Sequence, residues 1–315
     1  MIQHYIHDGP AESQDPMKFI VSADDYGISK EITDQILESF DGGALSSVSI
    51  LANGQAFDHA MDEYKKRPDL RLSIHLNLSE GASLLSSKEI PLLVNKNNEF
   101  CHSFLSLWFK YLLSNAQDRQ LLRLQVQQEL RAQINKVREI VPHAAINVDG
   151  HRHIHLVPFV FDALLGLRHE FGLSYIRLLR EPAILGNDWK RSVQGYGGIN
   201  CIKHILLNIL TARARVALAK TKVRSCDYFI GVLFTGHMSE YVVQTALRRI
   251  ASIDKDVLVE ILFHPFRAGE TEEGIWKDRR DLMHYYRSPG RQVERQALKS
   301  TSLRMLLDRE GSYEQ

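Results

Sequence analysis

The chain has 315 residues, 44% of them hydrophobic and 24% charged, with a formal net charge of +1 at pH 7. That length can bury a substantial core, and the near-neutral balance gives no global case for a nucleic-acid partner or an acidic one. Three widely spaced cysteines (Cys101, Cys201, Cys226) argue against a disulfide framework and a C-x-x-C zinc knuckle, and they fit a reducing compartment.

Residues 1–16, "MIQHYIHDGPAESQDP", have neither the basic start nor the apolar stretch of a signal peptide, and read as a polar, mobile tail. "FIVSA" (19–23) is the first strand candidate, followed by a helical pattern over 29–40 that ends at Gly42-Gly43. Two further strands are expected in "SSVSILA" (46–52) and "LRLSIHL" (70–76). Residues 80–116 then break the rhythm as an insertion at a strand end. A helical stretch over 117–140 leads to a strand in "AINVD" (145–149), a helix over 158–172, and a strand in "LSYIRL" (173–178). "DYFIGVLF" (227–234), a helix over 239–252 and "DVLVEILF" (256–263) complete the pattern. Gly42 and Gly172 sit where a helix end favours positive φ. Near-continuous apolar strands alternating with helices predict an α/β fold, a distorted, incomplete TIM-like β/α barrel of about seven strands. A single domain over 17–315 is expected.

Polar residues fall at the ends of these strands. "SADDYG" places Asp24 and Asp25 after the first, "SIHLNL" places His75 at the third, and "LFHPF" places His264 at the last. "NVDGHRHIHLVP" (147–158) follows the fourth, and in an extended chain His151, His153 and His155 would share one face. In a β/α barrel all these ends open on one face, where active sites form. An Asp with two His suits Zn²⁺ or another divalent ion. A second carboxylate could deprotonate a water, and a further histidine could protonate a leaving group, which together describe metal-assisted hydrolysis. Adjacent Asp24 and Asp25 cannot both face inward from a regular strand, so a turn is expected there.

"SADDYG", "HLNL", "DGHRHIH" and "LFHPF", in this order, resemble the YdjC-type carbohydrate deacetylases (ChbG-like), related to chitooligosaccharide deacetylase. "GHRHIHLVP", "IRLLREP" and "FTGHMSE" are similar to motifs of the hopanoid-associated HpnK subgroup. The resemblance implies a barrel of fewer than eight strands that removes an N-acetyl group from an amino sugar, releasing acetate. It implies one divalent metal ion, Mg²⁺ or Zn²⁺, held by Asp25, His75 and His151. Asp24 would be the base and His264 the acid, an assignment within the Asp pair that could be reversed. His153 and His155 would support a ligand or touch substrate, and Arg177 and Arg180 are candidate substrate contacts or else surface ion pairs beside Glu181.

From Trp189 to Cys226 there is no Asp or Glu, while Lys and Arg accumulate around the amphipathic "CIKHILLNILTARARVALAK" (201–220). This basic segment 189–226 reads either as a barrel helix packed on the sheet or as a helix on an anionic membrane surface. The expected partner is an acetylated amino sugar, lipid-linked or free, with no nucleic acid; peripheral membrane contact and a homodimer are further options. No apolar run reaches the roughly 18 residues of a membrane span, so the expected location is the cytoplasm, with attachment at the inner membrane face as an option. Three other readings compete. A glycosidase using Asp24 and Asp25 leaves the histidines unemployed, and an Fe(II) oxygenase would require oxygen. A retired sugar- or lipid-binding protein would have no reason to keep both base and acid.

Overall fold

The computed structural model describes residues 17–183, 198–254, 256–267, 269 and 285–314. Strand β1 (Met17–Tyr26) is buried at every position but Lys18, as its apolar sequence requires of a central parallel strand. It lies between β2 (Ser47–Ile50) and β7 (Leu258–Phe263), in the parallel order β5-β4-β3-β2-β1-β7-β6. The remaining members are β3 (Arg71–Leu76), β4 (Ile146–Gly150), β5 (Leu173–Ile176) and β6 (Tyr228–Ile230). All seven expected strands are present.

The sheet curls until its two outer edges meet. The Ile176 N–H donates to the Arg224 carbonyl, the Arg224 N–H to Ser174 and the Phe229 N–H to Arg180, each at 2.9 Å. These bonds join the edges without an eighth full strand, giving the incomplete barrel. A short strand that the periodicity does not signal, β8 (Gly311–Tyr313), pairs with residues 17–19 of β1 below β2.

Around the sheet run α1 (Lys30–Asp41), α2 (Phe57–Tyr64), α3 (Phe104–Leu113), α4 (Ala116–Ile140), α5 (Pro158–Gly166) and α6 (Arg168–Phe171). They are followed by α7 (Gly198–Leu218), α8 (Glu240–Ala251), α9 (Gly290–Leu298) and α10 (Thr301–Glu310). Helix α1 starts where Ser29 accepts the Ile32 N–H at 3.1 Å. The expected insertion 80–116 contains α3. Gly172 has the anticipated positive φ of 62°, but Gly42 does not, at −129°. The glycine pair there serves close approach instead: a Cβ on Gly43 would lie 2.5 Å from the Leu298 carbonyl oxygen. The expected tail 1–16, residues 184–197 (with 189–197 of the basic segment), and 270–284 lie outside the described residues.

Candidate metal centre and active site

Two adjacent carboxylates reach the barrel interior because β1 breaks its own register. The pairing with β2 shifts between Ala23 and Tyr26, and Asp25 takes φ 65°. The expected turn is therefore a bulge inside the strand, which turns one extra side chain inward. Asp24 faces Arg177, and Asp25 faces His151.

The histidine cluster also departs from expectation. After Gly150 the chain does not stay extended; residues 151–156 form a tight turn with Arg152 at φ 52° and His153 at φ 61°. Left-handed backbone costs an L-residue about 1–2 kcal/mol, and here it occurs twice in succession at the site. The three rings consequently part. His151 goes to Asp25 and Glu80, while His153 lies against Phe229 with ring centroids 6.5 Å apart. His155 is buried and donates from Nε2 to the Arg177 carbonyl at 2.9 Å. Burial lowers the His153 pKa well below the usual histidine range and lowers that of His155 to about 4.

Three ligand-type atoms converge at the strand ends. His151 Nδ1 lies 2.9 Å from Asp25 Oδ1 and 3.3 Å from His75 Nε2, and the third separation, His75 Nε2 to Asp25 Oδ1, is 3.6 Å. The outer nitrogen of each ring is held by a carboxylate: His75 Nδ1 by Asp149, and His151 Nε2 by Glu80 at 2.8 Å. Each outer nitrogen donates its proton, so each inner nitrogen of a neutral ring presents a bare lone pair beside a carboxylate oxygen. Asp25 Oδ1 is buried and accepts no hydrogen bond in this arrangement. Bonds of about 2.0–2.2 Å to one cation separate neighbouring ligand atoms by about 2.8–3.1 Å at right angles and about 3.3–3.6 Å at tetrahedral angles, a span that holds all three separations, so the trio fits a divalent ion. Held outer nitrogens are the usual support of metal-bound imidazoles. Burial lowers the His75 pKa, but Asp24 and Asp149 outweigh it and hold it up to about 10, the mark of a site whose carboxylates favour positive charge.

A buried ionic network lies beneath this trio. Arg177 is 1% exposed. Its Nη1 reaches both Asp24 oxygens at 2.9 Å, its Nη2 lies 3.0 Å from Asp149, and its Nε donates to Glu260 at 2.7 Å. Tyr175 donates to the other Glu260 oxygen at 2.6 Å. Five buried carboxylates (Asp24, Asp25, Glu80, Asp149, Glu260) thus surround one buried guanidinium and two imidazoles. The surplus negative charge is what a divalent cation would offset.

Asp24, Asp25, His75, His151, His153 and His264 line one cavity of about 480 Å³. Its walls come from α3 (Phe104, Leu105), α7 (Ile199, Ile202) and Tyr285. Arg177, Arg180 and His155 are not on that lining. Arg177 is sequestered beneath Asp24, Arg180 is exposed with its guanidinium 4.5 Å from the Tyr228 ring centroid, and His155 braces the Arg177 backbone. Of the four residues expected as substrate contacts or supports, His153 alone lines the described cavity.

Sequence reasoning missed Asp149, Glu80 and Glu260. Asp149 carried a signal, since it ends a strand beside His151, and so did Glu260, an acid inside the apolar strand "LVEILF". Glu80 lies in the insertion, five residues past His75. It is fixed by Asn77, whose Oδ1 accepts the Ser79 and Glu80 N–H groups at 3.0 and 3.1 Å. Gln133 of α4 accepts the Asn77 N–H at 2.9 Å, and nothing local in the sequence announces that anchor.

The YdjC-like protein family model matches residues 18–309 of the chain. A carbohydrate deacetylase of Danio rerio is 33% identical over 171 residues, 54% of this chain and 52% of that one, so the match spans about half of that relative's length. A carbohydrate deacetylase of Homo sapiens is 29% identical over 259 residues, covering 80% of this chain and 76% of that one. A solved structure from Enterococcus faecalis V583, named for cellobiose-phosphate cleavage, matches with a TM-score of 0.69 at 19% identity over 95% of this chain and 97% of that one. That last likeness is one of fold.

Proposed function

The chain belongs to the YdjC-like family, and on that footing we propose that it is a metal-dependent hydrolase that removes the N-acetyl group of an amino sugar. The observation that carries the reading is the convergence of His75 Nε2, His151 Nδ1 and the unbonded, buried Asp25 Oδ1. The names of the curated relatives support the substrate class. Asp25, His75 and His151 would hold one divalent ion, Zn²⁺ or Mg²⁺. When bound, such an ion lowers the pKa of water and polarises a carbonyl.

The chain's own residues supply the rest. Asp24 sits beside the trio, 3.8 Å from His75 Nε2, and takes the proton of the attacking water. Arg177 fixes its carboxylate by two contacts from one nitrogen. His264, on the same cavity, gives a proton to the departing amine as the C–N bond breaks. His153, kept neutral by burial and lining the same cavity, would hydrogen-bond the sugar. Acetate release from N-acetylglucosamine oligomers tests the reading, using chelated protein, metal-refilled protein and Asp24→Asn. Metal-dependent release lost in Asp24→Asn supports it; a refilled enzyme that binds metal but frees no acetate from any acetylated sugar overturns it.

The finer reading is a lipid-linked amino sugar, as in the hopanoid-associated subgroup. Its support is the apolar rim of the cavity. Leu105 of α3 and Ile199 and Ile202 of α7 line the cavity and are 48–68% exposed, apolar surface for which a free sugar has little use. Helix α7 also carries Lys203, Arg213 and Arg215 and no acidic residue, which suits an anionic membrane surface. A second copy meeting across that face would bring two basic stripes together. Among the described residues no helix is long and apolar enough to cross a membrane, so contact would be peripheral. Flotation with anionic and zwitterionic vesicles, beside Ile202→Asp, tests this. Binding to neither vesicle, or a stable homodimer broken by Ile202→Asp, would refute the membrane reading.

A further inference from the structure

The C-terminal helix α9 brings a buried carboxylate under the proton donor. Glu294 is 0% exposed, and its Oε2 accepts the His264 backbone N–H at 2.5 Å. The same oxygen lies 3.6 Å from His264 Nδ1. Its other oxygen accepts the Gly236 N–H, so one side chain ties the loops after β6 and β7 together. Arg291, one turn earlier on α9, lies 3.7 Å from Glu294 and sits over the Tyr285 ring at 3.9 Å from its centroid. Tyr285 in turn lines the cavity, with its ring centroid 6.0 Å from that of His264.

We infer that Glu294 is a positioning residue that orients His264 for proton donation, an inference resting on the deacetylase reading above. A carboxylate wholly out of water is costly unless its partners use it. Burial works to raise the Glu294 carboxyl, yet His264 and Arg291 hold it below the ordinary range, so it stays ionised. An ionised carboxylate facing Nδ1 attracts the positive edge of the ring to that side, leaving Nε2 as the nitrogen directed away from it. Nε2 is then the nitrogen through which a proton reaches the departing group. In the reaction water adds its oxygen to the acetyl carbon and loses a proton to Asp24. The C–N bond breaks, the amine nitrogen takes the Nε2 proton of His264, and acetate and a free amine leave. Glu294 gains and loses nothing; it holds the ring in place for the transfer.

The test compares Glu294→Gln, His264→Ala and the double variant on two acetyl donors, an N-acetyl amino sugar and 4-nitrophenyl acetate, whose leaving group departs without a proton. Glu294→Gln should lower amide turnover roughly ten- to a hundredfold with KM little changed, and ester turnover by less than about threefold. The double variant should be no slower on the amide than His264→Ala alone. Equal losses on both donors, or fully additive losses in the double variant, would reduce Glu294 to a tie between two loops. The amide-to-ester ratio does not depend on how much protein folds. Should Glu294→Gln not accumulate, Glu294→Asp is read by the same ratio and the same additivity. A wild-type enzyme that cleaves the ester but no amide would instead overturn the deacetylase reading.

Discussion

His75 and Asp149 are direct register partners on the parallel strands β3 and β4, and the Asp149 carboxylate holds His75 Nδ1. Ser49 and Arg177 hold that carboxylate from its other side. The pair fixes which His75 nitrogen faces the cavity. Asp149→Asn keeps the shape but weakens that control, and should weaken divalent-ion affinity about 10–100-fold. Calorimetric titration of the metal-free protein with Zn²⁺ measures it, and unchanged affinity would show that the strand pairing alone orients the ring.

Asp24 and Asp25, though adjacent, should separate cleanly by variant. Asp25→Asn removes an oxygen of the converging trio and should abolish tight metal binding together with turnover. Asp24→Asn should retain the metal and lose roughly 10²–10⁴ in kcat. Metal content by mass spectrometry beside acetate release distinguishes the two. If Asp24→Asn empties the site while Asp25→Asn does not, the roles are reversed.

The buried His155 makes stability fall in acid. Its folded pKa, lowered to about 4 by burial, lies below the unfolded value of about 6.5. Between those values the unfolded chain binds the extra proton, so stability decreases as pH falls from about 6.5 toward 4 and levels below. The contribution is about 3 kcal/mol. Urea unfolding midpoints at pH 7.5 and 4.5 measure it, and His155→Gln should show a flatter decline. An equally steep decline in that variant would assign the acid sensitivity elsewhere.

Gly150 separates Asp149 from His151 for a steric reason. A Cβ there would lie 2.6 Å from His155 Nδ1 and 2.9 Å from the His155 backbone nitrogen. Gly150→Ala should therefore push the turn out of place, costing about 1–3 kcal/mol of stability and reducing metal affinity as His151 shifts. A variant with wild-type melting temperature and metal affinity would mean that the turn yields easily.

The strands were legible because each is an apolar, β-branched run between breakers, and burial on both faces leaves no other composition for a central parallel strand. The gathering of Asp24, Asp25, His75, His151 and His264 was legible for a related reason. Parallel strands all end on one face, so residues at strand ends meet whatever their separation in sequence.

What only the tertiary structure decided is the direction of each side chain. The bulge at Asp25 and the left-handed pair Arg152-His153 are backbone states of single residues, set by the neighbours that over-determine them. They sent three alternating histidines to three different partners. Arg177 looked like a surface or substrate residue because its partners, Asp24, Asp149 and Glu260, come from three other strands. Glu80 and Glu294 reach the site by contacts 71 and 30 residues apart. Residue types and strand order are local properties that a sequence carries; the pairing of buried charges is a property of the closed barrel, because only there do distant carboxylates lose their water and need a partner.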